Sequence, residues 1–258
     1  MKLFNLYYEK FNIGHFQGCR NNSLYDENKE YYIKIFEDQK RSYENTKLTL
    51  PDDLTIITTF TNKEKAFCVK QLENNNIPYI NAAEGFTGEW NMTYKIQFIV
   101  DALKKVTTKY TLIVDAYDVI FYTFDDIIEK FNQKKCGCLF NATKNNYPNI
   151  IIDKIPFRDL LGEYNRFNAG CCIGKTNDLV CFYNECIEFM QLPNYNNIYN
   201  SEQYVLRNVF AKYCEYMLLN NVPMKIDYNC DIFVCIGNSI LSRIKDNDGK
   251  ETDEYIMH

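Results

Sequence analysis

The sequence predicts an α/β fold: a single domain in which helices flank a mostly parallel, Rossmann-like sheet. Two observations carry the prediction. Runs rich in β-branched residues alternate with segments that have apolar residues at helical spacing, giving the order β-α-β-α-β up to residue 121. The stretch Lys109-Tyr-Thr-Leu-Ile-Val-Asp115-Ala-Tyr-Asp118-Val-Ile-Phe121 is also apolar from Leu112 to Val114, is interrupted by two carboxylates and resumes at Val119, which suits one buried strand of a mostly parallel sheet.

The elements follow in order. After Pro51, Leu54-Thr-Ile-Ile-Thr-Thr-Phe60 reads as the first strand. Thr61-Asn-Lys-Glu has the order of a capping box, so a helix is expected from there to about Glu73. Ile77-Pro-Tyr-Ile80 is a short second strand, and a loop with Gly85 and Gly88 surrounds Phe86 and the single tryptophan, Trp90. Ile96, Ile99, Val100 and Leu103 make Met92 to Val106 an amphipathic helix. Beyond the Asp115 strand come a helix at Asp125–Phe131, a strand at Cys138–Asn141, an irregular loop at Thr143–Glu163 and a strand at Arg166–Gly174. Helices from Thr176 to Met190 and from Asn200 to about Phe210 precede late strands at Met224–Tyr228 and Ile232–Ile236. Residues 1–50 are polar and tyrosine-rich, with a helix at Glu30–Tyr43 and a loop at Gly14–Gly18, where His15 reads as structural because nothing nearby completes a catalytic pair. They read as an N-terminal appendage packed on a main domain of residues 51–258.

Composition narrows the function. The 258 residues are 46% hydrophobic, enough for a real core, and the net charge of −5 offers no broad field to attract nucleic acid. The N-terminus has no apolar run of the signal-peptide kind, and no window approaches the roughly 18 apolar residues of a membrane span. A soluble, intracellular (cytoplasmic) protein is expected, and the abundance of Asn, Lys, Ile and Tyr points to an AT-rich genome. Eleven cysteines leave at least one unpaired, and the spacings Cys136-Gly-Cys138 and Cys171-Cys172 match no zinc or redox signature. Reduced, buried thiols are expected, with a structural disulfide as the alternative.

The chemistry centres on Asp115 and Asp118, two carboxylates at the end of a buried strand. Parallel sheets place ligands outside the carboxyl ends of their strands. Carboxylates there need compensation for lost solvation, and a divalent cation held against a phosphorylated ligand supplies it. The alternative is that both aspartates are solvated caps of the following turn.

Val114-Asp115-Ala-Tyr117-Asp118-Val-Ile resembles the metal-binding Val-Asp-Ser-Tyr-Asp-Val-Ile of the glycosyltransferase domain of procollagen lysyl hydroxylases, which has the GT-A fold. Further landmarks keep that family's order. Lys95 resembles a lysine on the preceding helix. Arg166-Phe-Asn168-Ala-Gly170-Cys-Cys-Ile-Gly174 resembles Phe-Leu-Asn-Ser-Gly-Gly-Phe-Ile-Gly, and Ser201-Glu202-Gln203-Tyr-Val-Leu-Arg resembles Asp-Asp-Gln-Leu-Phe-Tyr-Thr-Arg. Lys225-Ile-Asp227-Tyr-Asn-Cys-Asp-Ile-Phe233 resembles Leu-Asp-His-Lys-Ser-Arg-Ile-Phe. The resemblance spans residues 54 to 258.

The resemblance implies a retaining transferase that moves a hexose, glucose foremost, from a UDP-sugar to galactosyl-hydroxylysine of a collagen-like protein. Mn2+ or Mg2+ is the implied cofactor. Asp115, Asp118 and the terminal His258, which stands near the place of a family histidine, are the implied metal ligands. Lys95 would add a cation at the phosphates, Thr58 and Thr59 would lie against uracil or ribose, and Tyr117 would stack on the base. Asn168 and Gln203 would hydrogen-bond sugar hydroxyls. Glu202 would either activate the acceptor hydroxyl or stabilise oxocarbenium charge. Two departures stand out: the family's acidic run before Gln is reduced to Ser201-Glu202, and the Gly-Asn-Gly after its histidine is missing. Competing readings are a galactosyltransferase or glycogenin-like glucosyltransferase on the same fold, a two-metal nucleotidyltransferase, and a non-catalytic UDP-sugar-binding module. Tyrosine-rich segments at 1–50 and 194–204 leave room for a homodimer contact.

Overall fold

The computed structural model describes residues 11–16, 29–143, 166–193, 195, 201–216 and 224–235. In chain order these form β1 (Ile13–His15), α1 (Lys29–Tyr43), β2 (Leu54–Thr59), α2 (Phe67–Asn74), β3 (Ile80–Asn81), α3 (Tyr94–Leu103), β4 (Tyr110–Asp115), β5 (Val119–Phe121), α4 (Ile127–Gln133), β6 (Cys138–Thr143), β7 (Arg166–Lys175), α5 (Thr176–Met190), α6 (Glu202–Tyr216), β8 (Met224–Ile226) and β9 (Phe233–Cys235). The main sheet has the order β3-β2-β4-β7-β6-β8, and a small second sheet has the order β5-β1-β9. β2 is parallel to β3 and β4, β6 is parallel to β8, and β7 runs antiparallel to both β4 and β6. The fold is therefore mixed α/β with a mostly parallel sheet, as the alternating pattern predicts.

Both faces of the main sheet are covered, which is why β4 is apolar without alternation. On one face Ile56, Leu112 and Val114 pack with Val69 and Leu72 of α2 and with Ile127 and Phe131 of α4. On the other, Ile57 and Ile113 pack with Ile96 and Ile99 of α3, Phe182 of α5 and Val209 of α6. Each fully buried side chain of this kind contributes about 1.5–3 kcal/mol. The small sheet adds a further layer. Ile13, Phe121 and Phe233 join the first face, while Phe16, Ile120 and Val234 pack with Phe36 of α1.

Local chemistry moves several boundaries. Asn62 rather than Thr61 is the cap: its side chain accepts from the Lys65 amide and closes a 3-10 turn, and α2 begins only at Phe67. The second strand shrinks to Ile80–Asn81, since Pro78 has no N–H for a ladder. The expected loop around His15 is instead a strand, because Ile13–His15 lies between β5 and β9 and hydrogen-bonds to both. The irregular loop expected at Thr143–Glu163 lies almost wholly outside the described residues. Cys68, Cys136, Cys138, Cys171, Cys172 and Cys186 are buried reduced thiols, and burial holds their pKa values up, which keeps them unreactive.

One consequence of the two-sheet arrangement matters most. β4 and β5 are almost continuous in sequence yet belong to different sheets, so the connection from Asp115 to Asp118 crosses the seam between them. β1 lies alongside: His15 is in register with Val119, and the Phe16 amide donates to the Asp118 carbonyl at 2.7 Å.

Candidate functional site

The site forms where strand ends converge. β2 ends at Thr59, β4 at Asp115 and β6 at Thr143, all at the carboxyl end of the parallel strands. β7 runs the other way, so its first residues, including Asn168, lie at the same end. β1 brings His15 in from the small sheet.

His15 Nε2 is 3.6 Å from Asp115 Oδ2 and 3.6 Å from Asp118 Oδ1. One ligand atom from each of these residues lies within 4.8 Å of the other two. His15 is buried and both aspartates are partly open to solvent. The second oxygen of Asp115 is taken by Lys95 Nζ, which also donates to Glu202 Oε1 at 2.6 Å. Lys95 is thus a buried ammonium between two carboxylates, one on β4 and one in the first turn of α6. Its pairing leaves Asp115 Oδ2 turned toward His15.

The wall behind the imidazole is built by a bulge. Pairing of β6 with β7 jumps from Phe140 opposite Cys172 to Asn141 opposite Asn168, so Ala169, Gly170 and Cys171 have no partners on β6. Bulges of this kind re-aim the chain beside sites. Two amides hold it. Gln203 Oε1 accepts from the Ala169 amide at 2.7 Å while its Nε2 donates to the Phe167 carbonyl at 2.6 Å, and Asn168 Oδ1 accepts from the Gly170 amide at 2.9 Å. Gly170 then lies flat on the imidazole, where a Cβ would stand 2.6 Å from Nε2 and 2.8 Å from Nδ1. Only glycine fits there.

The electrostatics follow from proximity. Burial alone would lower the His15 pKa, but the carboxylates of Asp118 and Asp115 outweigh it and hold the imidazole well above its ordinary value. Burial pushes Asp115 up, and Lys95 and His15 more than reverse it, so its carboxyl titrates below the usual range. Glu202 goes the other way: burial raises it, and Lys95 only partly compensates. A raised His15 means that its proton is bound below the folded pKa and lost as pH rises through it. A cation at Nε2 must displace that proton. Mn2+ binding is therefore expected to release about one proton, and the affinity to fall about tenfold per pH unit once the pH is below the His15 pKa. Calorimetry in buffers of different ionisation enthalpy measures both.

Of the other residues singled out in the sequence, Thr59 is opposite Asp115 and Thr58 opposite Val114. The Thr59 hydroxyl is buried and makes no hydrogen bond among the described residues. The Tyr117 hydroxyl accepts from the amides of Thr61 and Asn62, both at 3.1 Å, which ties the turn after β2 to the seam. Lys95, Asn168, Glu202 and Gln203 all sit in the cluster, though the amides of Asn168 and Gln203 are engaged by the β7 backbone. His258 lies outside the described residues. The sequence reading missed His15, whose role is not that of a loop residue: it stands between the two aspartates. Its signal was faint but present, as one of only two histidines in the chain, set among Phe11, Ile13 and Phe16.

One imidazole nitrogen and two carboxylate oxygens make a donor set suited to a divalent cation, and the pinned ring with two partly open aspartates fits one. The donor set does not name the ion. No helix among the described residues is long and apolar enough to cross a membrane. No family model and no curated protein matches the chain, so the resemblance to the collagen-modifying family gains no support there. Among solved structures, 4-diphosphocytidyl-2C-methyl-D-erythritol synthase from Anaerococcus prevotii DSM 20548 is similar at 15% identity and a TM-score of 0.37, over 80% of this chain and 76% of that one. That likeness is too slight to argue from. What fold and site define is an α/β protein with a His/Asp/Asp group that could hold a cation at the carboxyl end of its sheet.

Proposed function

We propose that the chain is a divalent-cation-dependent glycosyltransferase that moves a hexose from a UDP-sugar to a hydroxyl acceptor. The observation that carries this reading is the convergence of His15, Asp115 and Asp118, from two sheets, at the end of β4. Glucose as the sugar, retention of configuration, and galactosyl-hydroxylysine of a collagen-like protein as the acceptor come from the sequence resemblance.

His15, Asp115 and Asp118 would hold the cation, Mn2+ or Mg2+, which when bound neutralises charge on a departing diphosphate as a Lewis acid. Lys95 fixes the Asp115 carboxylate through one oxygen and adds a positive charge beside it. Glu202 is the buried carboxylate nearest this group, and its raised pKa suits it to interact with an acceptor hydroxyl or a developing positive charge. Asn168 and Gln203 act through the β7 backbone, shaping the wall behind His15. Thr59 and Tyr117, at the ends of the adjoining strands, are assigned to the nucleotide side.

The test is release of UDP from UDP-glucose and UDP-galactose with Mn2+, with EDTA, and in Asp115→Ala, with and without a peptide bearing galactosyl-hydroxylysine. Release that needs the metal, is accelerated by the peptide and disappears in Asp115→Ala is the expected result. Tight UDP binding without turnover would replace this reading with a binding module, and pyrophosphate release from nucleoside triphosphates with a nucleotidyltransferase. His15→Ala and His258→Ala compared by Mn2+ titration separate the two imidazoles, since only the ligating one should abolish binding.

A further inference from the structure

The ring nitrogen of His15 that faces away from the aspartates has a neighbour whose orientation is informative. Asn141, within β6, is fully buried. Its Nδ2 lies 3.4 Å from His15 Nδ1 and 3.3 Å from Asn168 Oδ1, and Cys235 Sγ is 3.9 Å from the same ring nitrogen. Asn168 Oδ1 is itself anchored, because the Gly170 amide donates to it. As placed, the Asn141 amide presents a donor to Nδ1.

An imidazole that gives Nε2 to a cation carries its one proton on Nδ1, which then needs an acceptor, and the partner on that side fixes the tautomer and orients the ring. Thiol sulfur accepts weakly. Asn141 Oδ1 is a stronger acceptor; it is buried and makes no hydrogen bond among the described residues. Half a turn of the side-chain amide exchanges Oδ1 for Nδ2. The turn gives up one long bond to Asn168 and sets Oδ1 beside Asn168 Oδ1, a cost that the bond from Nδ1–H has to outweigh, and it introduces no charge.

We propose that Asn141 is a positioning residue for His15: its amide backs the ring from the Nδ1 side so that Nε2 faces the two carboxylates, and its Oδ1 is the acceptor for Nδ1–H when Nε2 ligates a cation. The inference rests on the reading of His15, Asp115 and Asp118 as a cation site. It makes Asn141 part of that site although it touches neither carboxylate.

The experiment is a Zn2+ titration of the full chain, followed by calorimetry and by long-range proton–nitrogen NMR of the imidazoles, where two histidines give a sparse spectrum. In the wild type, the Zn2+-bound His15 should carry its remaining proton on Nδ1. Asn141→Leu should bind Zn2+ about 10- to 100-fold more weakly, with a faster-exchanging Nδ1–H. Asn141→Asp, which keeps an acceptor, should bind at least as tightly as wild type and retain the Nδ1–H signal. A folded Asn141→Leu that matches wild type in affinity and tautomer overturns the proposal and leaves the cation site standing. Should Asn141→Leu fail to fold, Asn141→Asp decides: binding about tenfold weaker than wild type overturns the proposal. No Zn2+ binding by wild type removes the cation site and this inference together.

Discussion

Lys95→Met is expected to destabilise the protein by about 3–5 kcal/mol, the range for removing one partner of a buried ion pair. Lys95 is buried and donates to Asp115 and, at 2.6 Å, to Glu202, whose side chain is only 8% exposed. Without the ammonium, two carboxylates face each other across the space it filled, in surroundings that already raise Glu202. The pH dependence has a definite sign. Lys95 is held above its ordinary value by Asp115 and Glu202 despite the opposing effect of burial, so its contribution is full below the unfolded pKa and is lost only in strong alkali. Asp115 is held below its ordinary value, so its contribution persists at neutral pH and disappears only in strong acid. Glu202 is raised, so its unfavourable contribution is present above its folded pKa and vanishes as pH falls toward the unfolded value. The deficit of Lys95→Met should therefore shrink on mild acidification, as Glu202 takes up a proton. Urea unfolding at several pH values measures this. Adding Glu202→Gln should recover much of the loss at neutral pH, and a double variant no more stable than Lys95→Met would show that the cost has another origin.

How much of this was readable in the sequence depends on the reach of each signal. The strands β2, β4, β6 and β7 and the helices between them appear as runs of local apolar pattern, and that pattern orders most of the main sheet. Asp115 and Asp118 were visible because carboxylates interrupt such a run. Lys95 was visible as a position, not as a buried ion pair, because its partners lie 20 and 107 residues away. The break between β4 and β5 was read as one interrupted strand, since nothing local says that the chain changes sheets at Ala116. His15 was hidden for the same reason. A three-residue strand has too little periodicity to register, and its pairing with β5 and β9 spans most of the chain. Asn168 and Gln203 were readable as site residues by resemblance, but their hold on the β7 backbone depends on a bulge that no pattern announces.

That bulge gives the sharpest test of the site. Gly170→Ala is expected to weaken Mn2+ binding roughly a hundredfold and to cost about 1–3 kcal/mol by overpacking. The new Cβ would stand 2.6 Å from His15 Nε2, and neither side yields easily. The ring sits on a strand hydrogen-bonded on both edges, with Asn141 and Cys235 behind it. The bulge is held by Gln203 and Asn168. Whichever moves, Nε2 leaves its position 3.6 Å from both carboxylates, while coordination bonds need about 2.0–2.2 Å from all three donors at once. Gly174→Ala is the control. It lies on the same strand, and its Cβ would press on Leu179 Cγ at 2.8 Å and the Gly137 carbonyl at 2.9 Å, away from the imidazole. It should lose stability and keep its metal. In a His15→Ala background Gly170→Ala should cost little further stability, because the clash is with the ring and disappears with it. If Gly170→Ala binds Mn2+ like wild type, His15 is not a ligand, and the two aspartates must find their third partner elsewhere in the chain.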